Sequence, residues 1–230
     1  MSITNYFDSL VNLKRSNENY PQELHGIQNP SVLALNPDLY RNQKTLIILP
    51  SDEEIEKLEH SFSTFTDLKL CSWKADSHNP YNNVFTSYNA VAQRTGFLAK
   101  AAEASSGVFL VHARNLVNYC SPKDFFEQAS IKIKQGDTVS SNFLTELKEL
   151  GYRQVDTVED PLSFSSRGEI VDIYSPNHDQ AIRIEFFDTE IESIRLFDPE
   201  MQKSSEIINE TIISPALEVL HARLDIEEVI

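Results

Sequence analysis

Cysteine is scarce in this chain of 230 residues, which contains only Cys71 and Cys120. The two lie far apart, and neither belongs to a Cys-x-x-Cys pair or stands beside a histidine cluster. That pattern supports neither a zinc site nor a disulfide framework. We expect two buried thiols in a protein of the reducing cytosol, and no bound metal.

Glycine is also rare, with six in the chain, and this bears on nucleotide binding. A phosphate-binding loop needs glycines so that its N–H groups can reach the phosphates, a lysine for the terminal phosphates, and a Ser or Thr for magnesium. The early candidate, HGIQNPSVLALNP at residues 25–37, has one glycine and no lysine before Lys44. Pro30 stands where an N–H donor would be needed. The sequence therefore predicts no nucleotide or other cofactor.

Catalytic motifs are missing as well. Histidines occur in separate contexts, with no nucleophile or carboxylate arranged around them as a triad would require. Surface or packing roles are the expected ones for His60, His78, His112, His178 and His221. We expect a chain with no catalysis of its own.

Positive charge is in short supply. The chain has 20 Lys and Arg against 35 Asp and Glu, a net charge of −15, and a pI of about 4.8. Sequence-independent DNA binding depends on cations that displace phosphate counterions. The chain alone is therefore a poor DNA binder, although it could meet a basic protein surface.

Long apolar runs are absent, and no segment approaches the ~20 residues that a membrane span needs. The start, MSITNYFDSLVNLKR, lacks the basic segment and apolar core of a secretory signal. Ile3, Phe7, Leu10 and Val11 instead fall at helical spacing and predict a surface helix. We expect a cytoplasmic protein with no membrane partner.

The first half of the chain alternates predicted strands and helices. TLIIL (45–49) and GVFLVH (107–112) are apolar runs typical of parallel strands buried on both faces, and DLKLCSW (67–73) adds another strand. Ser51 and Glu54 form a capping box that starts a helix, and residues 87–105 have alanines at helical spacing. This alternation predicts an α/β layer.

The pattern changes near Ser121-Pro122. SIKIKQGD predicts a half-exposed strand, and SSNFLTELKELGY predicts a helix ending at Gly151. YRQVDTV, GEIVDIY, AIRIEFF and EIESIRLF then read as short strands, the last two joined by a tight Asp188-Thr189 turn. A slip in alternation between Glu192 and Ile194 indicates a bulge or a strand covered on both faces. We predict a small α+β domain on an antiparallel sheet of four or five strands, followed by one more strand and a helical segment.

One strand presents an unusual outer face. In AIRIEFF, Ile182, Ile184 and Phe186 line one side, so Arg183 and Phe187 share the other. From the residues alone, Arg183 and Glu185 could be a solvated cross-strand pair while Phe187 turns into the core. An exposed aromatic beside arginines would instead suit a protein-binding hot spot. If the face is solvated, truncating Arg183 or Phe187 should barely change stability.

The segment from Gly151 to Pro215 resembles a known family. Matching positions include Arg167-Gly168, Asp172-Ile173, Pro176, Arg183-Ile184-Glu185-Phe186-Phe187, Glu190-Ile191-Glu192, Ile194-Arg195 and Phe197-Asp198-Pro199. They resemble the second domain shared by bacterial transcription-repair coupling factors and the excinuclease subunit UvrB. Asn79-Pro80-Tyr81 and the stretch SPKDFFEQASIKIKQGD extend the likeness upstream. Because the candidate phosphate loop is degenerate, the chain is more similar to the N-terminal module of a coupling factor.

The resemblance implies a fold and a set of site residues. The fold is α/β: a degenerate RecA-like, UvrB-like α/β domain with an inserted α+β domain built on a small antiparallel sheet. It implies boundaries at 1–120 for the first domain, 121–206 for the inserted one, and 207–230 for an incomplete return segment. In the family the inserted domain docks onto UvrA through arginines and an aromatic, which fall here on Arg167, Arg183 and Phe187. Arg195 has no such support and is expected to be structural.

The resemblance also implies a function. The chain would be a monomeric adaptor that recruits UvrA to RNA polymerase stalled at DNA damage, starting nucleotide excision repair. Contacts with RNA polymerase and DNA would come only through parts of a parent protein absent here, and the parent would be an ATP-dependent DNA translocase. The alternatives are a freestanding protein that binds or competes for UvrA, or a fragment of a UvrB-type excinuclease.

Overall fold

The computed structural model describes residues 30–35, 37, 40–75, 87–117 and 120–218. These residues form two units, the first within Met1–Ala75 and Ala104–Val117 and the second within Asp76–Glu103 and Asn118–Ile230. Several predicted features lie outside the described residues: the first helix, the Gly26 end of the candidate phosphate loop, Asn79-Pro80-Tyr81, and the helical segment after Glu218. Both units mix helices and strands, so the expected α/β character is confirmed at that level.

The first unit is a three-stranded parallel sheet in the order β1-β3-β2. Its strands are β1 (Lys44–Leu49), β2 (Leu70–Trp73) and β3 (Gly107–His112), and its α-helix is α1 (Asp52–Phe65). Its described residues also include two 3₁₀ helices, Pro30–Leu35 and Ala113–Val117. All three strands fall where the sequence predicted them.

Helix α1 begins as its capping signal predicts. The Ser51 side chain accepts a hydrogen bond from the Glu54 N–H at 3.3 Å, which satisfies one of the orphan donors of the first turn. Ile55, Leu58 and Phe62 lie on one helical face and pack in a core with Val108 and Leu110. Burial of this apolar stripe stabilises the helix more than its intrinsic propensity does.

Strand β1 departs from expectation, because it is not buried on both faces. Ile47 and Leu49 face the core that α1 covers, whereas Leu46 and Ile48 are 53% and 52% exposed. The reason is position: β1 is a sheet edge, and alternate residues point to opposite faces. Only the central strand β3 has the nearly continuous burial expected of its apolar run.

The second unit contains eight strands and three helices among its described residues. The helices are α2 (Tyr88–Glu103), α3 (Lys123–Ala129) and α4 (Phe143–Glu149). The strands are β4 (Ile131–Lys134), β5 (Arg153–Gln154), β6 (Ser163–Arg167), β7 (Ile170–Tyr174), β8 (Ala181–Phe187), β9 (Glu190–Asp198), β10 (Lys203–Ile208) and β11 (Glu210–Ile213). Six of them form one sheet in the order β10-β9-β8-β7-β6-β5, and β11 pairs with β4.

The sheet is larger than the four or five strands predicted. Strands β6 and β10 were not anticipated, because SFSSR and KSSEII are rich in serine and show little apolar alternation. Only Arg153 and Gln154 of the predicted strand YRQVDTV pair, and they pair in parallel with β6. The predicted strand SIKIKQGD belongs to the separate two-stranded sheet.

Helix α4 packs against the inner face of this sheet. Phe143 and Leu147 are buried, and the Phe143 ring meets Phe186 of β8 edge-on at 5.9 Å between centroids. Gly151 follows the helix with φ of 90°, a left-handed conformation that favours glycine at a helix end. Leu147, Ile184 and the neighbouring apolar residues form one core under the sheet.

Helix α2 also packs within the second unit. A Cβ placed on Gly96 would lie 2.1 Å from the Pro176 carbonyl oxygen, so only glycine allows the helix to approach the loop after β7 so closely. Ala99 and Ala102 continue the contact with Phe126 of α3. No helix in the described ranges has both the length and the apolar character needed to span a bilayer.

Two tight turns lie at the same end of the six-stranded sheet. Arg167 is in register with Ile170, and Phe187 with Glu190, so two residues connect each pair of strands. Gly168 and Asp188 take φ of 61° and 58°, the left-handed region that such hairpin turns use. The predicted Asp188-Thr189 turn is confirmed.

The predicted bulge is also present, as a register shift at Glu185/Phe186 that leaves Glu192 as the extra residue of β9.

Candidate protein-docking surface

The candidate site lies on the outer face of the six-stranded sheet, opposite its core. Ile182 and Ile184 of β8 are fully buried and Phe186 nearly so. The residues between them, Arg183, Glu185 and Phe187, therefore point to the outer face. The alternation predicted for this strand is confirmed.

Register brings Arg167 to the same face. Arg167 pairs with Ile170, and Ile170 pairs with Glu185, so the three residues form one row across β6, β7 and β8. Glu185 lies between Arg183 and Phe187 along β8. Adjacent strands are about 4.8 Å apart, which puts Arg167 two strand spacings, roughly 10 Å, from the β8 backbone. The three residues predicted from the sequence thus share one face. We call it the docking face, and its strands are β6 to β8.

Phe187 is a strongly exposed side chain on this face. It is 72% exposed at the last position of β8, beside the two-residue turn. Its neighbour Phe186 is the aromatic that enters the core. The alternative in which Phe187 turns inward is therefore wrong, because alternation assigns the inward position to Phe186.

Arg167 is exposed and held by the loop that precedes β6. Its Nε and Nη2 donate to the Asp156 carbonyl at 3.2 and 2.6 Å, and Nη2 also donates to Thr157 Oγ1 at 2.8 Å. These bonds fix the plane of the guanidinium. None of these three bonds involves Nη1.

Arg183 differs from the sequence expectation. Its Nε and Nη2 donate to the two carboxylate oxygens of Asp172 at 2.7 and 2.9 Å, and its guanidinium carbon lies 4.2 Å from the centre of the Phe197 ring. The Arg183 side chain is 21% exposed and that of Asp172 only 7%. The hydrogen bonds to Asp172 raise the pKa of Arg183, so the charge is permanent.

The ion pair with Asp172 changes the expected effect of truncating Arg183. Its cross-strand partner is Asp172 of β7 and not Glu185, which instead contacts Arg195 at 3.4 Å. The face is therefore not solvated at Arg183, so the premise on which truncation of Arg183 was expected to leave stability unchanged does not hold. Removing Arg183 would leave a buried carboxylate without its counter-charge, which is costly.

The outer face carries further residues that sequence reasoning did not select. Arg195 of β9 lies directly opposite Arg183 and keeps a side chain that is 37% exposed. Ile170 and Ile207 are 36% and 58% exposed. Ile207 could not be found from sequence, because it lies in the serine-rich strand β10. Arg195 could have been, since β9 alternates on both sides of its bulge.

Other kinds of site receive no support. The described residues contain no cluster of three or more His, Cys, Asp or Glu suited to hold a metal. Cys71 is half-buried and Cys120 is exposed, so the expectation of two buried thiols is wrong for Cys120. His178 is half-buried, with Nε2 2.9 Å from the Ile212 carbonyl oxygen and 3.0 Å from Thr211 Oγ1, a packing role.

The chain is similar to a known domain family and to several bacterial proteins. Residues 131–218 match the family model described as the UvrB interaction domain, and this segment includes the whole docking face. The transcription-repair-coupling factor of Escherichia coli K12 is 28% identical over 180 residues, 75% of this chain and 15% of the relative. That of Staphylococcus haemolyticus is 29% identical over 222 residues, 91% and 19% of the two chains. That of Myxococcus xanthus is 34% identical over 148 residues, 64% and 12%.

The segment 131–218 matches the UvrB interaction domain. Over most of its length the chain is related to the bacterial transcription-repair coupling factors, so the predicted resemblance is confirmed. It spans 15% of the length of the Escherichia coli relative and 19% of that from Staphylococcus haemolyticus.

Proposed function

We propose that this chain is the UvrA-recruiting adaptor module of a transcription-repair coupling factor. It binds UvrA through the docking face, with Phe187 as the apolar anchor and Arg167 and Arg183 as charged contacts. It performs no catalysis itself. The parent protein links RNA polymerase stalled at DNA damage to nucleotide excision repair, and contacts polymerase and DNA through other parts.

One observation carries the proposal: a phenylalanine that is 72% exposed stands beside arginines on the outer face of a UvrB interaction domain. Exposing a large aromatic to water is unfavourable, by roughly 25 cal/mol per Å² of apolar surface. Aromatic and arginine side chains dominate the energy of protein interfaces. Outward-facing strand positions are usually polar, and a binding role would explain why a phenylalanine occupies this one.

Electrostatics supports a protein partner in preference to DNA. The chain carries a net charge of −15, which opposes approach to a phosphate backbone. Arginines concentrated on one face of an acidic chain suit a partner surface that offers carboxylates.

The architecture we propose follows the family. Residues 1–120 form a RecA-like, UvrB-like α/β domain that has lost its phosphate loop, 121–206 form the inserted UvrA-binding domain, and 207–230 begin the return to the first. The module acts as a monomer in the cytoplasm.

Competition provides the test. Because UvrB and this chain would use the same kind of domain for UvrA, the purified chain should displace labelled UvrB from UvrA in an anisotropy titration. The variant Phe65→Ala, which removes an aromatic that is 59% exposed in the first unit, should displace UvrB as well as the wild type does. Failure of the wild-type chain to bind UvrA or to compete would refute the proposal.

A further inference from the structure

The side chains of Arg167, Arg183 and Phe187 offer too little area for a stable interface. A standard protein interface buries about 800 Å² on each partner, whereas a large aromatic contributes about 150–250 Å². Phe187, Arg167 and an Arg183 that is 21% exposed cannot supply the difference. Neighbouring side chains on the same outer face must be covered as well.

Strand register identifies where the remaining area lies. Arg183 pairs with Arg195, and Arg195 pairs with Ile207, so these residues form one row across β8, β9 and β10. Residues in register point to the same face. The next residue, Ile208, faces the other way, pairs with the buried Ile194 and packs against the core.

The row lies close enough to Arg183 to be covered by an interface of standard size. A circular patch of about 800 Å² has a radius of roughly 16 Å. Ile207 is two strand spacings from Arg183, roughly 10 Å. A partner centred on Arg183 therefore covers β9 and β10 unless its surface curves away from them.

The chemistry of the row suits the same partner. Ile207 is 58% exposed on an edge strand, a position where apolar residues invite unwanted pairing. Arg195 bonds through Nε to Ser193 at 3.3 Å and approaches Glu185 through Nη2 at 3.4 Å, contacts that do not involve Nη1. The loop after β5 also lies against the outer face, where its Val158 packs with Ala181 and Phe197. Protein interfaces are enriched in arginine relative to the rest of the surface.

We propose that the UvrA-binding surface extends across β9 and β10, with Arg195 as a third arginine contact and Ile207 as a second apolar anchor. The proposal rests on the proposed function and deepens it. The partner surface it requires has carboxylates facing Arg167, Arg183 and Arg195, and two separate apolar contacts: one at the turn end of β8 and one at the β10 edge.

Binding to UvrA by Ile207→Ser and Arg195→Gln tests the extension. Each variant should weaken binding at least fivefold, the effect of losing about 1 kcal/mol at an interface, while melting like the wild type. The control Phe65→Ser removes an equally exposed apolar residue (59% against 58%) from the first unit and should bind within twofold of wild type. In the wild-type chain, amide exchange in β10 should slow when UvrA is added.

The outcomes separate the two proposals. If Phe187→Ala weakens binding but Ile207→Ser or Arg195→Gln binds as tightly as wild type, the extension is wrong and the proposed function stands. Unchanged exchange in β10 with protected β8 would lead to the same conclusion without relying on any variant. If the wild-type chain does not bind UvrA, the proposed function is refuted, and the extension with it.

Discussion

The ion pair between Arg183 and Asp172 should contribute to the stability of the folded chain. Arg183→Ala removes the partner of a carboxylate whose side chain is only 7% exposed. Breaking a buried pair costs about 3–5 kcal/mol. Because Arg183 itself is 21% exposed and water can enter, we expect about 2 kcal/mol here. For a chain of this size that corresponds to a fall in Tm of roughly 4–8 °C.

A double-mutant cycle checks the cause. The double variant Asp172→Ala/Arg183→Ala removes the orphaned carboxylate too, and should be more stable than Arg183→Ala alone by about 1 kcal/mol or more. Urea denaturation and thermal melts of the wild type, both single variants and the double variant supply the four free energies. An Arg183→Ala melt that overlays the wild type, or a double variant less stable than either single one, would refute the reasoning.

Three further predictions concern packing and pH. Ile184→Ala should cost about 2–5 kcal/mol by leaving a cavity in the core, as urea denaturation would show, with binding intact in the folded fraction; equal stability would place Ile184 outside the core. Gly96→Ala should lower Tm sharply, because its Cβ would meet the Pro176 carbonyl oxygen at 2.1 Å; a normal melt would rule out that close approach. Burial lowers the pKa of His178 below its usual 6.5, so the unfolded chain takes up this proton first and stability falls as pH drops below about 6.5. His178→Gln should lose this component in paired melts between pH 7.5 and 5.5, and an unchanged pH slope would contradict it.

Local patterns were enough to predict much of the fold. Apolar alternation gave β8 and the inward positions of Ile182 and Ile184, and a capping box gave the start of α1. These signals succeed because they depend on residues close together in sequence. They failed at β6 and β10, where serines replace the apolar residues and the strand forms because its neighbours supply hydrogen-bonding partners.

The site was only partly predictable, for a related reason. Alternation placed Arg183 and Phe187 on one face, and the family resemblance added Arg167. The pairing of Arg183 with Asp172 depends on the register between β7 and β8, which no local pattern encodes. Glu185, two residues away on the same strand, was the natural partner to choose from sequence. The exposure of Ile207 likewise depends on the sheet edge at which β10 lies.

The central claim is that Phe187 anchors UvrA, and calorimetric titration of UvrA with Phe187→Ala tests it most directly. Losing an interface anchor typically costs ~2 kcal/mol or more, so affinity should fall about thirtyfold. The free energy of unfolding should stay within about 0.5 kcal/mol of wild type, because the side chain is 72% exposed. Phe65→Ala, the loss of another exposed phenylalanine, should leave affinity unchanged. Wild-type affinity for Phe187→Ala, or an equal loss in Phe65→Ala, would contradict the account.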